Sequence, residues 1–401
     1  MSHWLEVGLV LASLPVLVCT TYVLVLALFS YPLRPPSPPS PPTFRFDVVI
    51  PAHDESAGIA ATVHSLLSVD YPEALRRVVV VADNCTDDTA VKAREAGASV
   101  LERHDQNLRG KGYALAFAFA RSLEEARADA VVVVDADTLV SKNLLHAFAA
   151  RLAGGAVAVQ AHYGVQNPLA SWRTRLMRIA LAMFHQVRST GRERLGVSCG
   201  LRGNGMCFTV GLLREVPHEA FSLVEDLEYG VRLGRAGHRV AYAGEADVLG
   251  EMVSGEKASR SQRHRWEHGR AELKKTLGWP LVREALAKRS GLLLDLAMDV
   301  LVPPLSRIAL GTVALSAAAM ALSIFTDSGR WAMEAASFAM LGLLTYVTAG
   351  WLHSRTGLRG LLDLALAPAY VAWKLTLKVK QRRGEKSDEW VRTRRERETD
   401  R

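Results

Sequence analysis

Little in this chain points to a secreted or redox-active protein. Its 401 residues include four cysteines, Cys19, Cys85, Cys199 and Cys207. None stands in C-x-x-C spacing and no disulfide framework is evident, so all four read as free thiols in a reducing compartment, with Cys19 inside an apolar segment. No homeodomain, zinc-finger or other nucleic-acid module occurs, which argues against a nucleic-acid partner despite the net charge of +8. A Walker A motif is also missing. Gly110-Lys-Gly112 has no Ser or Thr after its lysine, which excludes P-loop kinases and ATPases. Met1 to Glu6 contains no Lys or Arg, whereas a cleaved signal peptide starts basic.

Apolar sequence is plentiful instead, at 49% of residues. Val7 to Ser30 carries no charge and is long enough to cross the hydrocarbon core of a bilayer, so it reads as an uncleaved anchor. Pro32 to Pro42 follows, rich in proline and serine, and is expected to be a stiff spacer holding the next domain off the bilayer. Near the other end, Leu292 to Pro304 carries Asp295 and Asp299. Charges at the bilayer centre are costly, so an interfacial helix ending at Pro303-Pro304 is expected there. Ile308 to Phe325 and Trp331 to Trp351 are better spans, and Leu361 to Leu377 suits an amphipathic surface helix. Lys374, Lys378, Lys380, Arg382 and Arg383 follow directly on apolar sequence and suit lipid headgroups. The positive-inside bias then puts the tail in the cytosol, and the two crossings that separate it from the middle of the chain put the middle there too. A fourth crossing at 361–377 would break that agreement.

The middle of the chain has a different pattern. Asp47 to Ile50, Arg77 to Val81 and Ala130 to Val134 are short β-branched runs, separated by helical stretches such as Ala57 to Leu67 and Thr89 to Ala96. Continuous apolar strands alternating with helices predict an α/β, doubly wound, mostly parallel sheet, with ligands beyond the carboxyl ends of the strands. The chain thus divides into an anchor over 1–31, a linker over 32–43, an α/β domain over 44–280, interfacial and about two transmembrane helices over 281–380, and a basic tail over 381–401.

Each of the three runs ends in polar residues: Pro51-Ala-His-Asp-Glu55, Ala82-Asp-Asn-Cys-Thr-Asp-Asp88 and Asp135-Ala-Asp137. Helix capping accounts well for Thr86 to Thr89. Adjacent parallel strands, however, deliver all three termini to one crevice. Asp135 and Asp137, two apart after a strand, can point the same way and offer hard oxygen ligands to Mg²⁺ or Mn²⁺ bridging a diphosphate; alone, the pair is also compatible with a solvated turn. Glu225-Asp226 opens a helix with apolar periodicity, where first-turn acids also suit the helix dipole. Gln262, Arg265 and Trp266 share one helix face and could hold a pyrophosphate and stack a sugar, or simply meet the membrane interface.

Taken in order, Pro51-Ala-His-Asp-Glu55, Asp83, Gly110-Lys-Gly112, Asp135-Ala-Asp137, Gly205, Glu225-Asp226 and Gln262-x-x-Arg265-Trp266 resemble the membrane-integrated, inverting family 2 glycosyltransferases. These are the relatives of cellulose, chitin and hyaluronan synthases and of the nodulation chitooligosaccharide synthase. The resemblance implies a GT-A type nucleotide-sugar domain. It places Pro51, Ala52, Glu55 and Asp83 on the uracil and ribose of a UDP-sugar, and Lys111 near the nucleotide. Asp135 and Asp137 would hold the diphosphate and its Mg²⁺ or Mn²⁺. Asp226, beside Glu225, would be the general base, Gln262 and Arg265 would meet the leaving diphosphate, and Gly205 and Trp266 would lie toward the acceptor. Two departures stand out: Val224 where the family often has Thr, and Asn204-Gly205-Met206 where many members have Cys-Gly before a small residue.

The expected activity is therefore sugar transfer at the inner membrane by a multi-pass protein whose catalytic domain is cytosolic. Expected partners are a UDP-sugar donor, a carbohydrate or lipid-linked acceptor, membrane lipids, and either a second copy of the chain or an export partner. The Gln-x-x-Arg-Trp motif favours polymerisation. About three crossings leave little protein to line a pore, which favours a short oligosaccharide or a single transfer to a lipid. A non-catalytic nucleotide-sugar sensor or scaffold would be expected to lack Asp226 or the D-x-D, and both are present.

Overall fold

The computed structural model describes residues 2–166, 172–250, 256–326 and 328–368; for residues 2, 173 and 256–268 it describes the backbone alone. The basic tail and the end of the stretch at 361–377 lie outside the described residues.

The three β-branched runs form strands. They are β1 (Phe46–Ala52), β2 (Arg76–Asp83) and, after β3 (Ser99–Arg103), β4 (Ala130–Val133). Four more follow: β5 (Thr138–Val140), β6 (Ala158–Val165), β7 (Met206–Thr209) and β8 (Val240–Gly250). They make one sheet in the order β3-β2-β1-β4-β7-β6-β8-β5. Strands β1 to β4 run parallel to one another, with Ile50 beside Val80 and Val49 beside Val133. Strand β7 is inserted antiparallel between β4 and β6, β6 and β8 are parallel, and β5 closes the edge antiparallel to β8. The sheet is therefore mostly parallel, as expected, but mixed in its second half.

Alternation explains why these runs are apolar throughout. Val48, Ile50, Val80 and Val132 face one layer, under the helices Ile59–Leu67 and Leu144–Ala153. Val49, Val81, Val131 and Val133 face the other, against the helix Lys111–Glu125 and Phe208. Both faces of each strand are dry, so neither set of alternate residues can be polar. Each such side chain contributes about 1.5–3 kcal/mol by leaving water. The buried acid near the start of β1, Asp47, is neutralised by Arg77 at 2.9 and 2.7 Å and accepts from the Ser122 hydroxyl at 2.6 Å.

Three helices are long and apolar enough to cross a membrane: His3–Leu28, Leu305–Phe325 and Arg330–Ser354. They pack through small residues, among them Ala319, Ala332, Ala336 and Ala339. Close packing of backbones is what holds helices together where lipid is as apolar as the side chains. The Glu6 carboxylate accepts the Trp331 N–H at 2.7 Å and so caps the third of these helices from the start of the first.

The α/β domain rests directly on these helices, which corrects the expectation of a spacer that holds it away. Gly191, on the helix Arg188–Arg194, lies so close to the first span that a Cβ there would come within 2.5 Å of the Leu26 carbonyl oxygen. Arg194 donates to the carbonyls of Phe29, Tyr31 and Pro32, at 3.1, 2.8 and 3.1 Å, and covers the Tyr31 ring. The spacer is thus pinned to the α/β domain at its start.

A buried ion cluster completes this junction. Asp295 and Asp299 lie on the short helix Gly291–Leu301. Asp299 is wholly buried, with Arg192 at 3.1 Å, Arg202 at 3.4 Å, Arg188 at 3.5 Å and Arg270 at 4.0 Å. Asp295 pairs with Arg192 at 3.2 Å and accepts from the Tyr22 hydroxyl at 2.9 Å. Three of the guanidiniums, those of Arg188, Arg202 and Arg270, also lie over the Phe184 ring, at 5.1, 4.4 and 5.0 Å from its centroid. The two carboxylates on this apolar stretch are accounted for by four arginines on distant elements. Burial pushes the Asp299 carboxyl up, but the arginines outweigh it and hold it well below the usual carboxylate range.

Candidate active site

The polar residues that follow β1, β2 and β4 gather at the carboxyl edge of the sheet. Pro51 and Ala52 are the last residues of β1, paired with Val81 and Ala82. Asp83 ends β2 and is buried. One of its oxygens accepts from Arg103 at 2.6 Å and from the Asn84 amide at 3.1 Å; the other, Oδ2, is buried and accepts no hydrogen bond among the described residues. His53 donates through Nδ1 to the Asp83 carbonyl at 2.7 Å, and Glu55 N–H donates to the Thr89 hydroxyl at 2.8 Å. These bonds tie the β1 and β2 termini together.

Capping explains much of the second terminus, in line with its sequence. Asp87 accepts from Thr89 N–H at 3.0 Å and from Ser56 N–H at 3.2 Å, while Asp54 accepts from the backbone of Thr86 and Asp87. Asp54, Cys85 and Asp87 have ligand atoms within 4.8 Å of one another. Their carboxylates already serve backbone N–H groups, and burial pushes the Cys85 thiol up to about 11, so this trio is better read as a cap than as a metal site.

The third terminus holds the centre of the site. Lys111 begins the helix Lys111–Glu125. Its ammonium donates to Asp135 Oδ1 at 2.5 Å and to the Gly203 carbonyl at 2.5 Å, and lies 3.6 Å from Glu225 Oε1. Glu225 and Asp226 open the helix Glu225–Arg235. Burial pushes the Lys111 ammonium down, but Asp135 and Glu225 outweigh it and raise it above an ordinary lysine. Burial pushes the Glu225 carboxyl up to about 7, with Lys111 opposing and Asp226 adding to the rise. Asp226 is raised by burial as well, against the Leu227 N–H and Lys111.

The loop that leads into Gly205 shapes this centre. Asn204 is fully buried; its side chain accepts from Asp135 N–H at 3.1 Å and donates to Thr138 at 2.7 Å. Gln160, also fully buried, accepts from Arg202 N–H at 2.8 Å and donates to the Asn204 carbonyl at 2.7 Å. The glycine-dense run Ser198 to Gly205 was the available signal, since left-handed turns need glycine: Gly200, Gly203 and Gly205 have φ of 78°, 77° and 70°. Gly205 sits within the sheet, where a Cβ would come within 2.7 Å of Val248, so the structure gives it a packing reason of its own.

The structure therefore joins Lys111, Asp135, Glu225 and Asp226 in one place, and Pro51, Ala52, Glu55 and Asp83 along the adjoining edge. Asp137 is half-buried, two residues beyond Asp135. Gln262, Arg265 and Trp266 fall on the helix Glu256–Ala287, but their side chains lie outside the described residues. Among the described residues, three carboxylates, those of Asp135, Glu225 and Asp226, surround the Lys111 ammonium. Hard oxygen donors in excess fit a Mg²⁺ or Mn²⁺ ion and the anionic donor that it would accompany.

Comparison with known proteins agrees with this geometry. The family described as "Glycosyltransferase like family 2" matches residues 41–269. Probable glycosyltransferase YdaM of Bacillus subtilis (strain 168) is 24% identical over 234 residues, covering 56% of this chain and 55% of its own. Beta-monoglucosyldiacylglycerol synthase of Synechocystis sp. is 28% identical over 231 residues, 55% of this chain and 47% of its own. Probable glucomannan 4-beta-mannosyltransferase 1 of Arabidopsis thaliana is 26% identical over 238 residues, 56% of this chain and 43% of its own. The chain thus spans about half the length of these curated relatives. Among solved structures, the mannosyltransferase PcManGT of Pyrobaculum calidifontis, in complex with GDP-Man and Mn²⁺, covers 88% of this chain and 98% of its own at 17% identity, with a TM-score of 0.55. That likeness concerns the fold, a GT-A type mixed sheet. With the family match spanning more than half of its length, this chain belongs to the glycosyltransferase-like family 2 and is a transferase enzyme.

Proposed function

We propose that the enzyme transfers a sugar, with inversion, from a UDP-sugar to a growing polysaccharide or oligosaccharide at the cytosolic face of the inner membrane. The observation that supports this reading most is the single ammonium of Lys111 shared by Asp135 and Glu225, with Asp226 next in the chain. That juxtaposition sets a diphosphate-binding terminus beside a pair of buried acids. Inverting transfer needs a base facing the acceptor hydroxyl, on the side away from the leaving diphosphate. Asp226 suits that role, because burial raises its carboxyl and makes it a stronger base than a solvated aspartate. Glu225, held near neutrality, lies next to it. Lys111 and Arg265 supply positive charge for the leaving diphosphate, Gln262 meets it as well, and Gly205 and Trp266 lie toward the acceptor.

Asp135 and Asp137 are the residues that would hold Mg²⁺ or Mn²⁺, and the ion would neutralise charge on the departing diphosphate. The nucleoside is assigned to Pro51, Ala52, Glu55 and Asp83. Arg103 and Asn84 fix the Asp83 carboxylate at the end of β2, on the edge where the nucleoside is assigned.

Single transfer to a membrane lipid is the second reading. It is favoured by three spans that pack against one another through small residues, and by similarity to a relative named for diacylglycerol glycosylation. Nucleotide release by the full chain in lipid, across UDP- and GDP-sugars with product sizing, tests both. A long product supports polymerisation and a lipid carrying one sugar supports the second reading. Release from GDP-sugars alone would overturn the donor assignment.

A further inference from the structure

Lys111 occupies an unusual position for a residue assigned only to the neighbourhood of a nucleotide. Its ammonium holds Asp135 Oδ1 at 2.5 Å and the Gly203 carbonyl at 2.5 Å, and faces Glu225 at 3.6 Å. We infer that Lys111 is a built-in place-holder for the metal ion: it occupies Asp135 until a nucleotide diphosphate draws it away, so that the metal binds with the nucleotide and not before it. This rests on the reading of Asp135 and Asp137 as metal ligands.

The physical case is electrostatic. An oxygen already donated to an ammonium is a poorer ligand, and a dication brought beside that ammonium meets repulsion in a half-buried site where charges are weakly screened. A diphosphate removes both obstacles at once. Its oxygens offer Lys111 a new charge-assisted partner and its negative charge offsets the added dication. The helix that carries Lys111 is not free to follow, because a Cβ on Gly112 would stand 2.3 Å from the Ala220 carbonyl. Movement is therefore confined to the lysine side chain, a flexible four-carbon stem with three donors. Turning toward the diphosphate also withdraws the ammonium from Glu225, which leaves the acid pair more basic once donor has arrived.

The test reads metal binding, not turnover. Free Mn²⁺ is titrated by electron paramagnetic resonance against the full chain in detergent, with and without UDP. The wild type should bind Mn²⁺ weakly alone and at least about tenfold more tightly with UDP. Lys111→Met should bind Mn²⁺ alone at least about tenfold more tightly than the wild type, with a smaller gain from UDP, because the competing charge is gone. Lys111→Arg should keep the wild-type order, and Lys111→Gln serves if the Met variant fails to fold. Wild-type affinity for Mn²⁺ alone in both uncharged variants would overturn the inference while leaving the metal site intact. Absence of Mn²⁺ binding by the wild type even with UDP would overturn the metal reading itself.

Discussion

Asp299→Asn isolates the ion cluster that joins the catalytic domain to its long apolar helices. The substitution keeps shape and removes charge. Asp299 is completely buried, with four guanidiniums between 3.1 and 4.0 Å of its oxygens. Removing one partner from a buried ion pair typically costs about 3–5 kcal/mol, because the remaining charge is left uncompensated. Here several arginines lose their shared counter-charge, so a value toward the upper end is expected. At roughly 2–4 °C per kcal/mol for a domain of this size, the apparent Tm should fall on the order of 10 °C. Fluorescence-monitored melting in detergent checks this. Arg192→Met is measured alone and in combination, because Arg192 touches both Asp295 and Asp299. The double variant should lose at least about 1 kcal/mol less than the sum of the singles, as expected for groups in direct contact. A single-variant loss under about 1 kcal/mol, or strict additivity, would refute the claim that these charges hold the junction together.

Asp226→Asn should retain UDP binding by calorimetry and lose at least about 10²-fold in UDP release, the usual worth of a positioned base; undiminished release would remove it from that role. Burial pushes the Glu225 carboxyl up to about 7, above the usual glutamate value, so the folded chain holds an extra proton between the two. Stability should therefore decline as pH rises through that window, turnover should climb as the Glu225–Asp226 pair loses its proton, and Glu225→Gln should flatten the stability slope in melts taken across it. Gly205→Ala combines a left-handed φ of 70° with a Cβ only 2.7 Å from Val248. A loss of about 2–4 kcal/mol is expected in chemical denaturation, from backbone strain and overpacking together. EDTA should abolish turnover, with recovery on adding Mn²⁺ or Mg²⁺; full activity in EDTA would separate Asp135 and Asp137 from metal.

Local pattern made the first half of the sheet legible. Val48, Val80 and Val132 lie in continuous β-branched runs, and such runs between helices leave few architectures open. Strands β5 and β7 span three and four residues with no such run, so only pairing partners elsewhere in the chain define them. At the site, D-x-D and Glu225-Asp226 could be noticed as short motifs, but their meeting at Lys111 could not. That ammonium reaches partners 24 and 92 residues away, a relation that no local periodicity encodes. Gln160 was missed for the same reason, and Asn204 stood out only as a departure from the family pattern. Each looks like an ordinary polar residue until burial shows that its amide holds a turn in place. The aspartates of the helix Gly291–Leu301 belong here too: the arginines that meet them lie on distant elements and no local pattern announces them.

The cluster around Asp299 also orders events during synthesis. Arg188, Arg192, Arg202 and Arg270 leave the ribosome before the carboxylate that they share, and Tyr22 precedes them all within the first span. Domains generally form as the chain emerges, amino end first. Here the loop that carries Arg202 and Gly203 holds unmatched charge until the helix Gly291–Leu301 arrives. A nascent chain that stops short of that helix lacks the counter-ion for its own catalytic loop. Maturation of the site is thereby tied to arrival of the helix Gly291–Leu301, which precedes the apolar helices Leu305–Phe325 and Arg330–Ser354.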